Sequence, residues 1–397
     1  MKAPLKVCLL LQGDKSWVGG IEYIKNIIFA LSSLPADVRS TFEVSLLCSK
    51  RIDPGLYDQI TSHVKEIYYE EDALAPPSLV NRVYWELLGM LFNKHDCRYD
   101  DFFRTGHFDF VYPYFTQRSG PLPYKWAACI YDFQHKYLPR YFSKQDLGKR
   151  DRSFKQIAQD APVIVLNSAT ARGDFQKYFS AHAHKTRVLS FRTYPIPEWY
   201  EKDPLAAQKQ YSLPDRFFLV SNQFWQHKNH IVIFNAMKLL GDRSVLPVLV
   251  CTGNLHDHRQ KTYAEFIKRS IKEMGLADQV HLLGLIPRID QIQLMRRSLA
   301  VVQPSLFEGW STVVEDARCL GKPIILSDIP VHKEQDPPHR AFFKKDSPEE
   351  LAHCLGEWWE RLSPGPNSGD EAHSRDTNLK ESEAYGLRFL DLARGVL

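Results

Sequence analysis

The sequence predicts an α/β protein of two domains, each a parallel sheet covered by helices, and three observations carry that prediction. After Phe217, short apolar and β-branched runs at 217–221, 248–251, 280–283, 300–302 and 324–326 alternate with helical stretches in every gap. Such alternation calls for right-handed crossovers over a parallel sheet. Upstream, residues 192–215 hold Pro195, Pro197, Pro204 and Pro214 among polar neighbours, the composition of a linker. A chain of 397 residues is also long enough for two separate cores. The domains are therefore expected at 1–200 and 201–378.

In the first half, runs at 5–11, 42–47, 108–112, 126–130 and 163–166 read as strands, and 21–31 and 169–179 as helices. In the second half the most informative stretch is 300–335, AVVQPSLFEGWSTVVEDARCLGKPIILSDIPVHKEQ. A buried strand ends at Pro304, a loop runs over 305–311, and 312–320 is helical, with Val313, Val314, Ala317 and Leu320 at helical spacing. Gly321 and Pro323 stop the helix before the next strand. Residues 363–378, rich in Ser, Pro, Gly and Asp, read as an exposed loop. From 379 to 397, Tyr385, Phe389 and Leu392 mark one apolar helix face.

Composition narrows the class. Hydrophobic and charged contents of 44% and 25% are those of an ordinary globular protein. No stretch approaches the roughly 18 apolar residues of a membrane span, and the first strand is too short for a signal peptide, so the expected location is the cytoplasm. Seven cysteines stand far apart, without a CxxC metal site or a compact disulfide framework. The net charge of +4 is uneven: residues 1–200 hold 26 Lys and Arg against 21 Asp and Glu. Residues 135–155 carry the excess, with Tyr137, Tyr141, Phe142 and Phe154 interleaved. That patch suits peripheral contact with an anionic membrane surface or a phosphate-bearing acceptor, or is a solvated helix face. No nucleic-acid-binding module accompanies it.

The chemistry collects at strand ends. In open α/β sheets ligands bind beyond the carboxyl ends of the strands, where helix N-termini offer unpaired N–H groups. Glu308 and Gly309 in the 305–311 loop and Glu315 in the first helical turn lie there. Glu308 could equally be a solvated turn residue, and Thr312 to Glu315 fits a capping box. Lys228, after the 217–221 strand and before a helix, suits a diphosphate, or is a surface lysine. Gly19 and Gly20 allow close backbone approach after the first strand, although GDKSWVGG is not the dinucleotide GxGxxG. No Asp-x-Asp, HExxH or P-loop occurs, which excludes the corresponding metal-dependent transferase, metalloprotease and NTPase classes.

The Glu308-Gly309 pair followed by Glu315 resembles the donor-sugar motif of the retaining, metal-independent glycosyltransferases of the GT-B fold, family 4; LGKPIILSDIPVH at 320–332 resembles it too. Many members place seven residues between the two acids, and here there are six. The resemblance implies two Rossmann-like domains facing each other across a cleft, with the last helix crossing back to the first. It implies that Glu308 holds hydroxyls of the donor sugar, Glu315 the ribose, and Lys228 the departing diphosphate. Gly309, Trp310, Ser311 and Thr312 would present backbone N–H groups, and Gly284-Leu285-Ile286 would receive the base. GGIE at 19–22 resembles the family's first glycine loop. Asn222 stands where the family has an Arg, leaving one positive charge to His227, His230 or an Arg elsewhere. Tyr131 stands where it has a His, which makes Asp132 and His135 the candidates there. The implied activity is hexosyl transfer from a nucleotide sugar such as UDP- or GDP-hexose to a glycan or lipid-linked acceptor in surface polysaccharide synthesis, with no metal or other cofactor. A non-catalytic sugar-binding protein, and an epimerase or phosphorylase on the same fold, are the alternatives.

Overall fold

The computed structural model describes residues 3–15, 17–73, 97–115, 122–255, 257, 259–260 and 262–395. The chain divides into two compact units, one made of Met1–Tyr131, Gly148–Arg192 and Lys380–Leu397, the other of Asp132–Leu147 and Thr193–Leu379.

The first unit holds a parallel sheet of β1 (Leu5–Leu10), β2 (Phe42–Cys48), β3 (Glu66–Tyr69), β4 (Phe110–Tyr112) and β5 (Lys125–Trp126) in the order 3-2-1-4-5. A second, three-stranded parallel sheet pairs β6 (Ala128–Ile130), β7 (Ile164–Leu166) and β8 (Thr186–Val188). The run expected as one strand at 126–130 is thus two, parted at Ala127 and placed in different sheets. Helix Val18–Ser32 is buried from Gly20 to Leu31. It begins three residues before the expected start, so Gly19 and Gly20 lie in its first turn. The end of helix Ser368–Arg394 packs in this unit: a Cβ at Gly386 would come within 2.6 Å of the Ala30 carbonyl oxygen. Phe389 meets Phe110 and Tyr112 edge-on.

The second unit is a six-stranded, all-parallel sheet of β9 (Phe218–Ser221), β10 (Leu249–Thr252), β11 (Val280–Gly284), β12 (Val301–Gln303), β13 (Ile324–Ser327) and β14 (Arg340–Phe343). Its order, 11-10-9-12-13-14, is that of a doubly wound fold. Strand alternation divides the core in two. Phe218, Val220, Cys251, Val302 and Ile325 meet Phe234 and Met237 of helix His230–Gly241 and Leu355 of helix Pro348–Arg361. Leu219, Val250, Val301 and Ile324 meet Leu294 of helix Arg288–Arg297 and Ala317 of helix Thr312–Cys319.

Three expectations are corrected here. The proline-rich stretch at 192–215 is not a free linker: helices Pro197–Glu201 and Pro204–Gln210 fold into the second unit, where Trp199 is buried. The first unit gives up Asp132–Leu147 to the second, so the units do not divide at residue 200. Residues 363–378 are not all loop, because the last helix starts at Ser368. Among the described residues no helix is long and apolar enough to cross a membrane. Cys8, Cys48, Cys251 and Cys319 are buried and Cys129 and Cys354 half-buried, all free thiols; the side chain of Cys97 lies outside the described residues.

Gly253, at the end of β10, has a φ of +126°, and a Cβ there would stand 2.2 Å from the Asn222 carbonyl oxygen. That contact is backbone on backbone and cannot be relieved by a rotamer change. Gly253→Ala should therefore lower the denaturant midpoint by the equivalent of about 1–3 kcal/mol or more; an unchanged midpoint would contradict the contact.

Candidate active site

β9 and β12 are neighbours, yet the helices that follow them cover opposite faces of the sheet, which makes their carboxyl ends the point where the winding reverses. A crevice forms there in this class of sheet. The two outgoing loops are tied together. Asn229, in the left-handed region at φ 55°, ends the short turn Gln226–Lys228 and begins helix His230–Gly241. Its side-chain amide donates to the carbonyls of Pro304 (3.3 Å) and Lys345 (3.0 Å), and Leu306 N–H donates to the His227 carbonyl at 2.8 Å.

Within this frame Lys228 Nζ lies 2.5 Å from Glu308 Oε1. The same oxygen accepts from Ser305 Oγ at 2.6 Å and from Gln303 Nε2 at 3.2 Å. Three donors thus converge on one carboxylate oxygen, and Oε2 has no partner among the described residues. Gln303, fully buried at the end of β12, accepts in turn from Asn222 Nδ2 at 2.7 Å. Asn222 therefore serves as a neutral support for the Gln303 amide. His230 does not replace the missing cation: it is buried against Phe224 with ring centroids 4.2 Å apart, and burial, then the Lys228 ammonium, holds its imidazole at about 3.

Glu315 lies on the adjacent helix and is fully buried. Its Oε1 accepts from Gln335 Nε2 at 2.9 Å and its Oε2 from Arg318 Nε at 3.2 Å. Gln335 also grips the Ser311 backbone, donating to its carbonyl at 2.9 Å and accepting from its N–H at 3.2 Å. The capping-box alternative is not the arrangement found, because Ser311 is the N-cap, without a side-chain cap bond, and Thr312 is already helical. Gly309, Trp310 and Thr312 are half-buried around this loop. Gly284 ends β11, two strands from β9, and Leu285 and Ile286 follow it. Arg288 just beyond them is no free ligand, since it forms a two-pronged pair with Asp316 at 2.8 and 2.7 Å.

Asp132 and His135 belong to the segment Asp132–Leu147 of the second unit. Asp132 Oδ1 accepts from the Gln134 backbone N–H at 2.8 Å, and His135 is buried with its ring edge-on to Phe142. Arg259 holds the segment: its guanidinium lies 5.1 Å from the Phe142 ring and 4.9 Å from the Trp225 ring and donates to Gln134 Oε1 at 3.1 Å. Tyr137 stacks on Phe307, the residue before Glu308, at 5.2 Å. Tyr131 packs in the first unit against Trp17 and Tyr23. Gly19 and Gly20 are also there, Gly20 with no room for a Cβ beside the Gln12 carbonyl and the Trp17 ring. Among the described residues no three His, Cys, Asp or Glu side chains gather as a metal site.

The structure thus brings Lys228, Glu308, Asn222, Ser311 and Glu315 into one connected network. Sequence reasoning missed Gln303, Ser305, Gln335 and Arg259. The spacing from Gln303 to Glu308 along the strand end was the one available signal.

Residues 202–361 match the family model described as glycosyl transferases group 1. The chain is 28% identical over 219 residues to the O-antigen chain mannosyltransferase RfbU of Salmonella typhimurium strain LT2, a match covering 55% of this chain and 56% of that protein. It therefore matches about half the length of that curated relative. The whole chain has the fold of HepE from Anabaena, solved with UDP (TM-score 0.64, 15% identity, 98% of this chain and 100% of that one). WaaG, a glycosyltransferase involved in lipopolysaccharide biosynthesis, is similar too (TM-score 0.56, 12% identity, 96% and 95%). The fold is GT-B, and the Lys228–Glu308 network lies within the residues that match the group 1 model.

His332 offers a pH test of this network. It is fully buried, with Nδ1 2.9 Å from the Ser327 carbonyl oxygen, and Ser327 Oγ donates to the Ser305 carbonyl. Burial is the main cause that lowers its imidazole to about 4, against the opposing pull of the Glu308 carboxylate. The unfolded chain takes up this proton near pH 6.5 and the folded protein only near 4. Its contribution to stability is therefore complete above pH 6.5 and lost as pH falls toward 4. Urea unfolding of wild type and His332→Gln should differ by a constant amount above pH 6.5. Below it the wild type should lose up to about 1.4 kcal/mol per pH unit relative to the variant; parallel pH profiles would contradict this.

Proposed function

We propose that the chain transfers a hexosyl group from a nucleotide diphosphate sugar, such as UDP- or GDP-hexose, to a glycan or lipid-linked acceptor, with retention at the anomeric carbon and without a metal. The observation that carries this reading is the convergence of Lys228, Ser305 and Gln303 on one oxygen of Glu308, at the reversal point of a sheet within the residues that match the group 1 model. The network holds the carboxylate in one orientation and leaves Oε2 to accept from a sugar hydroxyl. Lys228 offsets charge on the leaving diphosphate, as do N–H groups at the N-terminus of helix Thr312–Cys319. Catalysis then consists of positioning and electrostatic stabilisation of an oxocarbenium-like state, and the leaving phosphate takes the acceptor proton.

Within this reading Glu315 braces the Ser311 loop through Gln335, and it reaches ribose hydroxyls only by exchanging Gln335 or Arg318 for them. Asp132 and His135 are assigned to the sugar side, on the segment that Arg259 fastens. Gly284, Leu285 and Ile286 are assigned to the base, and Gly19 and Gly20 to the acceptor side. RfbU and WaaG support a role in surface polysaccharide or lipid-linked glycan assembly. Lys144, Lys149, Arg152 and Lys155, exposed along helix Lys144–Asp160, are the residues for peripheral contact with an anionic membrane surface. One observation favours a second reading, a sugar-binding protein without turnover: Asn222 and Tyr131 replace two residues expected of an active member.

A thermal-shift screen against UDP, GDP, ADP, dTDP and their sugars should identify one donor class, and turnover of that donor should then be measured. Loss of a hydrogen bond to a charged partner costs about 1.5–3 kcal/mol, or about 10-fold to 150-fold in rate. Lys228→Ala and Glu308→Gln are expected at the upper end of that range, with the fold retained and the melting temperature lowered because the remaining charge loses its partner. Donor binding with no turnover in the wild type would establish the second reading instead.

A further inference from the structure

Behind Glu308 lies a line of buried polar groups that pairing with Lys228 does not explain. Strands β12 and β13 are in register with Gln303 opposite Leu326, so Ser305 and Ser327 stand at adjacent strand ends. Both serines are fully buried, as is His332 on the short helix Pro330–Gln335 that follows β13. Ser327 Oγ donates to the Ser305 carbonyl at 2.6 Å, and the Ser305 hydroxyl donates to Glu308 Oε1, also at 2.6 Å. His332 closes the line, with Nδ1 2.9 Å from the Ser327 carbonyl oxygen and 3.1 Å from Ser327 Oγ.

The acceptors fix where the protons sit along this line. A carbonyl oxygen only accepts, so the Ser327 hydroxyl proton points to Ser305 and the imidazole proton is on Nδ1. Having given its one proton to Ser305, Ser327 Oγ meets Nδ1–H as an acceptor. Nε2 is then a buried lone pair with no partner among the described residues. Such an acceptor is destabilising, and a leucine would fill the space without it. The Nδ1–H contact to Ser327 is therefore what the imidazole contributes. The ring also feels the Glu308 carboxylate and the Lys228 ammonium, which places it behind the charged pair.

We infer that Ser327 and His332 are positioning residues for sugar transfer, which set the direction of Glu308 Oε2 through Ser305 without touching the donor. This rests on the transferase reading, in which that oxygen accepts from a sugar hydroxyl. Without the Ser327 hydroxyl the Ser305 backbone loses its anchor, and the Ser305 hydroxyl that grips Oε1 moves with it. Lys228 still balances the charge, so the carboxylate stays in place but is no longer held in one direction. A displacement of about 1 Å at a reacting centre can cost on the order of a hundredfold in rate. Turnover therefore registers the change, whereas the nucleotide, which Glu308 does not hold, binds as before. Gln335, which fastens Ser311 and Glu315, lies on the same short helix as His332, so one element supports both glutamates.

The test is the rate at which the full-length chain releases nucleoside diphosphate from UDP-glucose, GDP-mannose, ADP-glucose or dTDP-glucose, with affinities for the bare nucleotides measured by calorimetry. Ser327→Ala and His332→Leu should each lower that rate about tenfold, while nucleotide affinity changes less than about twofold. His332→Asn, whose amide reaches the Nδ1 position, should keep most of the rate and separates loss of this contact from loss of the fold. In a Glu308→Gln background Ser327→Ala should have little further effect, because both act on the same carboxylate. Full rates in Ser327→Ala and His332→Leu, an equal fall in nucleotide affinity, a His332→Asn as slow as His332→Leu, or independent losses in the double variant would overturn the proposal and leave the transferase reading standing. A wild type that releases nothing from any of the four donors would refute the transferase reading, and the proposal with it.

Discussion

The Lys228–Glu308 contact matters because of where it lies. Lys228 and Glu308 side chains are 14% and 10% exposed, so both charges have given up most of their water. A carboxylate so placed must be paired and hydrogen-bonded, and removing one partner leaves the other uncompensated. Here the partners come from two adjacent strands, whose loops are cross-tied by Asn229 and Leu306. The pair therefore inherits its geometry from the sheet itself. Loops that would otherwise be mobile are anchored at the one place where an open α/β sheet offers a crevice.

Apart from each other, Lys228 and Glu308 bond only uncharged side chains among the described residues. Asn222 and Gln303 form an amide ladder, and burial keeps His230 and His332 low enough to be neutral near pH 7. On the proposed reading an arriving diphosphate shares a single ammonium with Glu308, and helix N-terminal N–H groups supply the remaining stabilisation. Polar but uncharged supports hold the carboxylate without competing with the ligand for the lysine. In the Glu315–Gln335–Ser311 brace an amide again makes the contact with the loop backbone, while Arg318 pairs the Glu315 carboxylate behind it.

Much of the second unit was legible because its strands are buried on both faces, so Phe218, Val220, Val301, Ile324 and their neighbours had to be apolar without alternation. The missed strands have a common cause. Glu66–Tyr69 and Arg340–Phe343 are sheet edges with charged residues, and Thr186–Val188 is only a short piece. The last helix was misread for a different reason. Its buried positions before Tyr385 are Glu371, Ser374, Asn378 and Ser382, which have the helical spacing but not the hydrophobicity. Glu371 is buried because Arg296 grips both its oxygens, at 2.6 and 2.9 Å, a pairing no local pattern announces. The site divides in the same way. Charged Glu308 and Lys228 stood out beside strand ends, whereas the amides and hydroxyl that orient them look like any polar residue.

The path of the backbone through the two units has a consequence for the polypeptide as an object. It passes between them at 131/132, 147/148, 192/193 and 379/380. Neither unit is a continuous stretch of sequence, and no single cut, however placed, releases one of them whole. Severing the chain near its midpoint would strip Asp132–Leu147 from one fragment's partner and the Gly386–Phe389 packing from the other. A chain threaded in this way carries more than one core, yet no half of it contains either core whole.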